Sequence, residues 1–184
     1  MGLYYFDENM AHGFSQAFTR FTSEALQTYV GYVATQGRNF LGQVDRVDYF
    51  CGATYATDEY SSDHQGFTLG PYINMYINGK ISTDKSFRDW VITSDQMYLH
   101  EYGHTIQSQM LGPAYLGIIG LPSLISCSFA HDIDINGTTF YSHDLFYTEL
   151  SANTYAYLYF SIYYNFNWET NWQKYPRWSD LFRL

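Results

Sequence analysis

Apolar and polar positions alternate along this chain with two different periods, and the switches between them outline its elements. Between Ser15 and Gly42, apolar residues recur at Phe18, Phe21, Ala25, Tyr29, Val33, Phe40 and Leu41. That spacing predicts an amphipathic helix, with Gly31 and Gly37 as points where it can bend or split. Residues 1–13 read as a lead-in. Val44 to Thr57 is β-like, with Val47, Tyr49 and Cys51 alternating with Asp48 and Phe50. Asp58 to Gln65 reads as a polar loop. Ile73, Met75 and Ile77 alternate with Tyr72, Asn74 and Tyr76, which predicts a strand. Asn78-Gly79 is a hairpin signal, with Lys80 to Ser82 as a short return strand.

The second half changes character. Trp90 to Leu99 has partial helical spacing, and Thr105 to Leu111 continues it to a stop at Gly112-Pro113. Leu111 to Ala130 contains no charged residue. Its length alone would allow a membrane span. Pro113, Pro122, three glycines and several serines argue instead for a buried or cleft-lining segment, the alternative being an exposed apolar patch for a partner or membrane. His131 to Ser142 is turn-rich, with Asn136-Gly137 as a hairpin tip. An aromatic-rich helix starts near Phe146 and runs to about Tyr164. Residues 165–184 read as an irregular tail with a last short turn. No repeat and no linker interrupts residues 1–184, so the chain reads as one domain.

Composition narrows the function classes. A net charge of −9 argues against nucleic acid and against anionic lipid surfaces, because both are bound through Lys and Arg. Cys51 and Cys127 are the only cysteines, too few for a disulfide framework or a cysteine-based zinc site. The chain holds 20 Tyr and 14 Phe. Most of these are expected to serve packing, with a Tyr-lined cleft for a polymer substrate as the sharper alternative. Met1 to Asp7 lacks the basic and apolar regions of a signal peptide. Phe6 stands where a myristoylation signal needs Ser or Thr. Export would need another route or a larger parent chain.

The candidate chemistry lies at His100-Glu101-Tyr102-Gly103-His104, an HExxH string within a predicted helix. Residues four apart on a helix share a face, so His100 and His104 can aim both imidazoles at one metal ion. Glu101 beside them can take a proton from water at that ion. A catalytic zinc ordinarily takes a third protein ligand and keeps one open position. Glu149 at the start of the downstream helix can supply it, and Asn153, four residues on, can brace a ligand imidazole through its back nitrogen. His143 is a rival: a ligand, an oxyanion donor or a proton shuttle. His131-Asp132 reads as polar loop, and His12 and His64 as surface residues.

The HEYGH helix, Glu149 and Asn153 resemble the gluzincin metallopeptidases, the thermolysin-like branch of the zincins. Three further stretches, Tyr49–Thr54, Leu69–Ile73 and Leu99–Tyr115, together with His143 placed six before Glu149, resemble the metallopeptidase domains at the C-termini of bacterial Rhs-repeat proteins. The resemblance implies an α+β, zincin-like fold: a backing helix, a small twisted sheet, the HExxH helix and a following Glu-bearing helix. It implies Zn2+ held by His100, His104 and Glu149, with the Asn153 carbonyl oxygen paired to His100. A strand next to the active-site helix would take substrate backbone as an added strand.

The expected activity is zinc-dependent hydrolysis of peptide bonds in a polypeptide substrate, with Glu101 as general base. His143 or a tyrosine (Tyr141, Tyr147 or Tyr155) would hold the oxyanion. The second resemblance implies a bacterial toxin or effector module, delivered within a larger secreted protein and restrained by a cognate inhibitor or immunity protein. Two rivals remain: an inactive zincin-fold binding module that keeps metal, and a metal-free domain in which the histidine pair is packing.

Overall fold

The computed structural model describes residues 10–169 and 173–183, so the first nine lead-in residues and part of the tail lie outside the described residues. The chain is α+β and clusters into two compact units, residues 1–113 and 114–184.

The first unit is built on a four-stranded sheet in the order β1-β2-β4-β3. Its strands are β1 (Arg46–Phe50), β2 (Ala53–Asp58), β3 (Tyr60–Leu69) and β4 (Tyr72–Asn78). β2 and β4 pair in parallel at the centre, and the other pairings are antiparallel. Both central strands are buried almost end to end, so both faces of the sheet are covered. β1 turns into β2 through Cys51 and Gly52, both at positive φ, the geometry of a tight hairpin.

Two expectations are corrected here. Residues 58–65 are not a loop: Asp58 ends β2, Glu59 is the turn, and Tyr60 to Gln65 begin β3, an edge strand bulged between Tyr60 and Gln65. Its first half is exposed on both faces, so it shows no apolar alternation. Asn78-Gly79 does not return into a strand at Lys80 to Ser82. The sheet edge beside β4 is already filled by β3.

The N-terminal helix divides at Thr22 to Glu24 rather than at a glycine, giving α1 (Met10–Phe21) and α2 (Ala25–Phe40). The lead-in is therefore helical from Met10 onward. Both helices are turned the opposite way from expectation. Phe14, Phe18 and Phe21 of α1, and Leu26, Tyr29 and Val33 of α2, are exposed, whereas Gln16, Arg20, Glu24, Gln27, Thr35 and Arg38 are buried. The polar face is held by specific bonds. Gln16 donates to the Cys51 carbonyl at 2.9 Å, and Arg20 donates to that of Gly52. Arg38 donates to the carbonyls of Ala56, Gln43 and Met75 and to Asn74 Oδ1, at 2.9–3.2 Å, with its guanidinium 4.0 Å over the Tyr76 ring. These bonds pair the buried polar side chains with turn and strand carbonyls, which is what lets a polar helix face be buried.

Two helices complete the unit, α3 (Phe87–Ser94) and α4 (Met97–Leu111). Ser86 caps α3 by accepting from the Asp89 N–H. An aromatic cluster of Tyr55, Phe87, Trp90 and Tyr98, with ring centroids 5.2–5.9 Å apart, ties both helices to β2.

The second unit holds a π-helical turn (Leu116–Gly120), α5 (Leu121–Ser128), a hairpin of β5 (Asp132–Ile135) and β6 (Thr138–Tyr141), and α6 (Tyr147–Tyr164). The hairpin turns at Asn136-Gly137, both at positive φ, as the sequence predicts. In the uncharged stretch before it, Gly112, Tyr115 and Ile119 are buried, but its α5 part is not. Leu121, Leu124, Ile125 and Phe129 are all exposed. Along α5 the lack of charge marks an apolar surface rather than core. Among the described residues no single helix is long and apolar enough to cross a membrane. The described tail is fixed by the buried Trp168, which donates to the Tyr175 carbonyl, and by Arg177 paired with Asp180 at 2.7 Å. It ends in a 3-10 helix, Trp178–Arg183.

Candidate metal centre

Helix α4 carries the HExxH residues, and its ends explain its span. Asp95 is extended and accepts from the Met97 N–H at 3.1 Å, which starts the helix. Gly112, at positive φ, returns its N–H to the Ser108 carbonyl and ends it. Tyr98 and Tyr102 anchor the helix to the sheet. Tyr98 is stacked on Tyr55 with its hydroxyl 3.2 Å from that of Thr57, and burial pushes its phenol pKa up. Tyr102 donates to the Cys51 carbonyl at 2.9 Å.

His100 and His104 lie one turn apart with ring centroids 4.9 Å apart and planes at 90°. His104 is buried, and its Nδ1 meets Gln107 Oε1 at 2.7 Å. An amide oxygen only accepts, so that bond assigns the proton to Nδ1 and the lone pair to Nε2. Gln107, three residues along the same helix, was not singled out from the sequence. The i, i+3 spacing is the signal that could have found it.

Glu101 is buried. Thr68 of β3 donates its hydroxyl to Glu101 Oε2 at 2.7 Å and lies 3.1 Å from the Glu101 carbonyl. Gly66 sits over the same carboxylate. A Cβ there would come within 2.7 Å of Glu101 Oε1. The edge strand therefore holds this carboxylate through Thr68 and makes room for it by having no side chain at Gly66. Neither residue is legible without the β3 assignment.

In the second unit Glu149 occupies the first turn of α6 and is buried. Its Oε1 accepts from Ser123 of α5 and from Thr148, each at 2.7 Å. His143 Nε2 lies 3.7 Å from the same oxygen, and His143 Nδ1 is 3.2 Å from the Ser126 hydroxyl. His143 is thus beside Glu149, as their spacing suggested. Asn153 is buried, and its amide nitrogen donates to the Pro176 carbonyl at 2.8 Å. That bond fixes which end of the amide is nitrogen, so Oδ1 is the accepting end.

Among the candidate tyrosines, Tyr147 donates to the Ile118 carbonyl and Tyr141 is exposed at the end of β6. Tyr155 follows Glu149 by about one and two-thirds turns of α6, so it does not share the Glu149 face. His131 is exposed at the base of the hairpin with its ring near the Phe129 carbonyl, but Asp132, expected in a polar loop, is instead the exposed first residue of β5, paired with Tyr141. His64 is exposed and bonds Asp95 at 2.9 Å. His12 is half-buried on α1.

The donor chemistry fits zinc. Two imidazoles on one helix face, one with its tautomer set by an amide, and a carboxylate elsewhere in the chain make the nitrogen and oxygen set that zinc takes in hydrolytic sites. Comparison with protein-family models, with curated proteins and with solved structures finds no match.

Proposed function

We propose that this chain is a zinc-dependent metallopeptidase of the HExxH type, with zinc held by His100, His104 and Glu149 and a zincin-like arrangement of its elements. The observation that carries the reading is the α4 constellation: paired imidazoles one turn apart, with the Glu101 carboxylate buried next to them and held by Thr68. Packing alone does not ask for a buried carboxylate at this position. An ionisable group is costly to bury unless hydrogen bonds or chemistry compensate.

A bound zinc ion supplies Lewis acidity, which activates water and polarises a carbonyl. Glu101 is the general base in this reading. It takes the proton of the attacking water and returns it to the leaving amine. The Thr68 hydroxyl fixes the direction of that carboxylate, and Gln107 fixes the tautomer of His104. Asn153, through Oδ1, is proposed to brace His100 in the same way. His143 is proposed to assist beside Glu149 as a proton or hydrogen-bond donor to the oxyanion. The peptide substrate is proposed to lie along β3, the sheet edge that reaches Glu101.

The biological setting we propose is a delivered effector with a cognate inhibitor protein, which rests on the resemblance to Rhs C-terminal domains. The decisive experiment measures zinc by elemental analysis after purification without chelator and zinc re-addition, alongside cleavage of a peptide library. One zinc per chain and cleavage abolished by Glu101→Gln are expected. Well under one zinc per chain defeats the reading. Full zinc with no cleavage by the wild type leaves a binding module in its place.

A further inference from the structure

We propose that the outward face of α1 and α2 is a self-association surface on which a second copy of this chain docks, face to face. The inversion of these helices is the starting point. Between residues 11 and 43 the only Lys, Arg, Asp or Glu side chains are Arg20, Glu24 and Arg38, and all three are buried. What remains outside is uncharged and largely apolar, with Phe14 75% and Phe40 90% exposed.

This exposure is built in rather than a consequence of a loose helix. Turning α2 about its axis would bring its apolar face inward. It would also break the four Arg38 bonds and the Thr35 bond to Asn74. At Gly31 the helix approaches the Leu69 carbonyl so closely that any side chain would collide with it. The polar face is keyed to the sheet, so the apolar face must point away.

Area and charge decide what covers it. The large apolar side chains of this face present on the order of 1,000 Å², taking roughly 150–250 Å² for each aromatic side chain. The largest apolar patch on an ordinary monomer is roughly 300–600 Å², and a stable interface takes about 800 Å² from each partner. The face is thus of the size a dimer needs. Its chemistry is that of an interface core, rich in aromatic residues and empty of charge. A face carried by every copy, matched to itself, gives a closed two-fold pair. The net charge of −9 does not oppose this, because its exposed share lies outside residues 11–43. Helices that rest in a membrane interface carry Lys or Arg and Trp at their margins, and residues 11–43 contain neither Lys nor Trp and no exposed Arg.

The test is the mass of the full chain in solution by sedimentation equilibrium from about 1 to 100 μM, with circular dichroism and thermal melting as controls. A dimer is expected for the wild type. Phe18→Asp and Val33→Asp, both on the exposed face, are each expected to give a monomer with unchanged helix content. Ile162→Asp, an exposed apolar position on α6, is expected to leave the dimer intact. A wild type that is monomeric throughout this range overturns the proposal. So does a dimer that survives both face substitutions. Monomers that co-sediment with phosphatidylcholine vesicles, and lose this with Phe18→Asp, would assign the face to lipid instead. Zinc content and peptidase activity do not enter this test, so it stands apart from the proposed function.

Discussion

Helices α2 and α4 both pack on β3 and β4, and both bury polar side chains there, yet the two burials differ in kind. On α2 the buried groups reach outward from the helix, Arg38 and Thr35 to the sheet and Gln27 to the carbonyl of Gly112 at the end of α4. Arg38, Thr35 and Gln27 end on backbone carbonyls or on Asn74, and the result is a keyed contact. On α4, beside the Tyr98 and Tyr102 bonds that anchor the helix, buried groups are also aimed at ionisable side chains. Gln107 orients His104, and Thr68 reaches over from β3 to aim Glu101. Buried polarity therefore has two meanings in one unit. Where it satisfies backbone it is architecture. Where it sets the tautomer or direction of a titratable group it fits the chemistry proposed for this site.

The comparison breaks most sharply at Glu101. Glu101→Gln keeps the shape of the side chain and removes its basicity. It is expected to retain zinc and to lose peptide cleavage by about 10²–10⁴-fold, the contribution of a positioned general base. Retention of wild-type cleavage would remove Glu101 from the proton path. At Glu149 the expected loss is of metal. Glu149→Ala is expected to weaken zinc affinity well beyond the effect of His143→Ala, read by competition with a chelator of known affinity. The reverse order would make His143 the ligand.

The α2 side of the comparison predicts a different signature. Arg38→Met leaves the Ala56, Gln43 and Met75 carbonyls and Asn74 Oδ1 short of a donor. It is expected to cost about 3 kcal/mol of stability, given roughly 1–3 kcal/mol for each strongly unsatisfied buried group and partial rescue by water. Zinc stoichiometry is expected to stay at the wild-type value. Denaturant unfolding monitored by circular dichroism, with elemental analysis on the folded variant, separates the two effects.

What could be read from the sequence follows the same divide. The HExxH helix and the Glu149 helix were legible because spacing and stop signals lie within each helix: Gly112 ends one, and the other runs to Tyr164. The strand at 72–77 was legible because apolar and polar residues alternate there. The facing of α1 and α2 was not. Spacing shows that Phe18, Tyr29 and Val33 share a side, but not which side turns inward, and the sheet chose the polar one. β3 was missed because an edge strand exposed on both faces has no apolar alternation to detect. Missing β3 hid Thr68 and Gly66, and with them the partner of the candidate base. The exposure of α5 is not legible because an uncharged run fits a buried or cleft-lining segment as well as an exposed apolar patch.

Glu24 extends the comparison to pH. It is buried on the polar face, and desolvation pushes its pKa up to about 7, against smaller opposing effects of Ser108, Arg20 and Thr19. A carboxyl whose folded pKa lies above its unfolded value holds its proton longer in the folded state. The unfolded chain therefore binds fewer protons between about pH 4.5 and 7. The contribution of Glu24 to stability is then greatest below that window and declines as pH rises through it. Glu24→Gln is expected to flatten the fall in denaturant midpoint between pH 5 and 8. A wild-type midpoint that rises with pH across this range, and is unchanged in slope by Glu24→Gln, would contradict the assignment.

The smallest effect tests whether Thr68 belongs to the chemistry or to the packing. Its hydroxyl donates to the carboxylate of Glu101 and also lies against the main-chain carbonyl of that residue, so it could serve either purpose. Thr68→Val keeps the branched shape that suits a strand and removes the donor. If Thr68 aims the base, the loss falls on kcat with KM nearly constant, by roughly 10-fold, toward the low end of the 10–100-fold range for a supporting hydrogen bond. Zinc content stays at one per chain, and Thr68→Ser, which restores the hydroxyl, recovers most of kcat. If the residue only packs, Thr68→Val and Thr68→Ser reverse their order, because Ser loses the methyl group and Val keeps it. Measuring kcat, KM and melting temperature for both variants decides between these outcomes, since the two roles predict opposite rankings from the same pair of proteins.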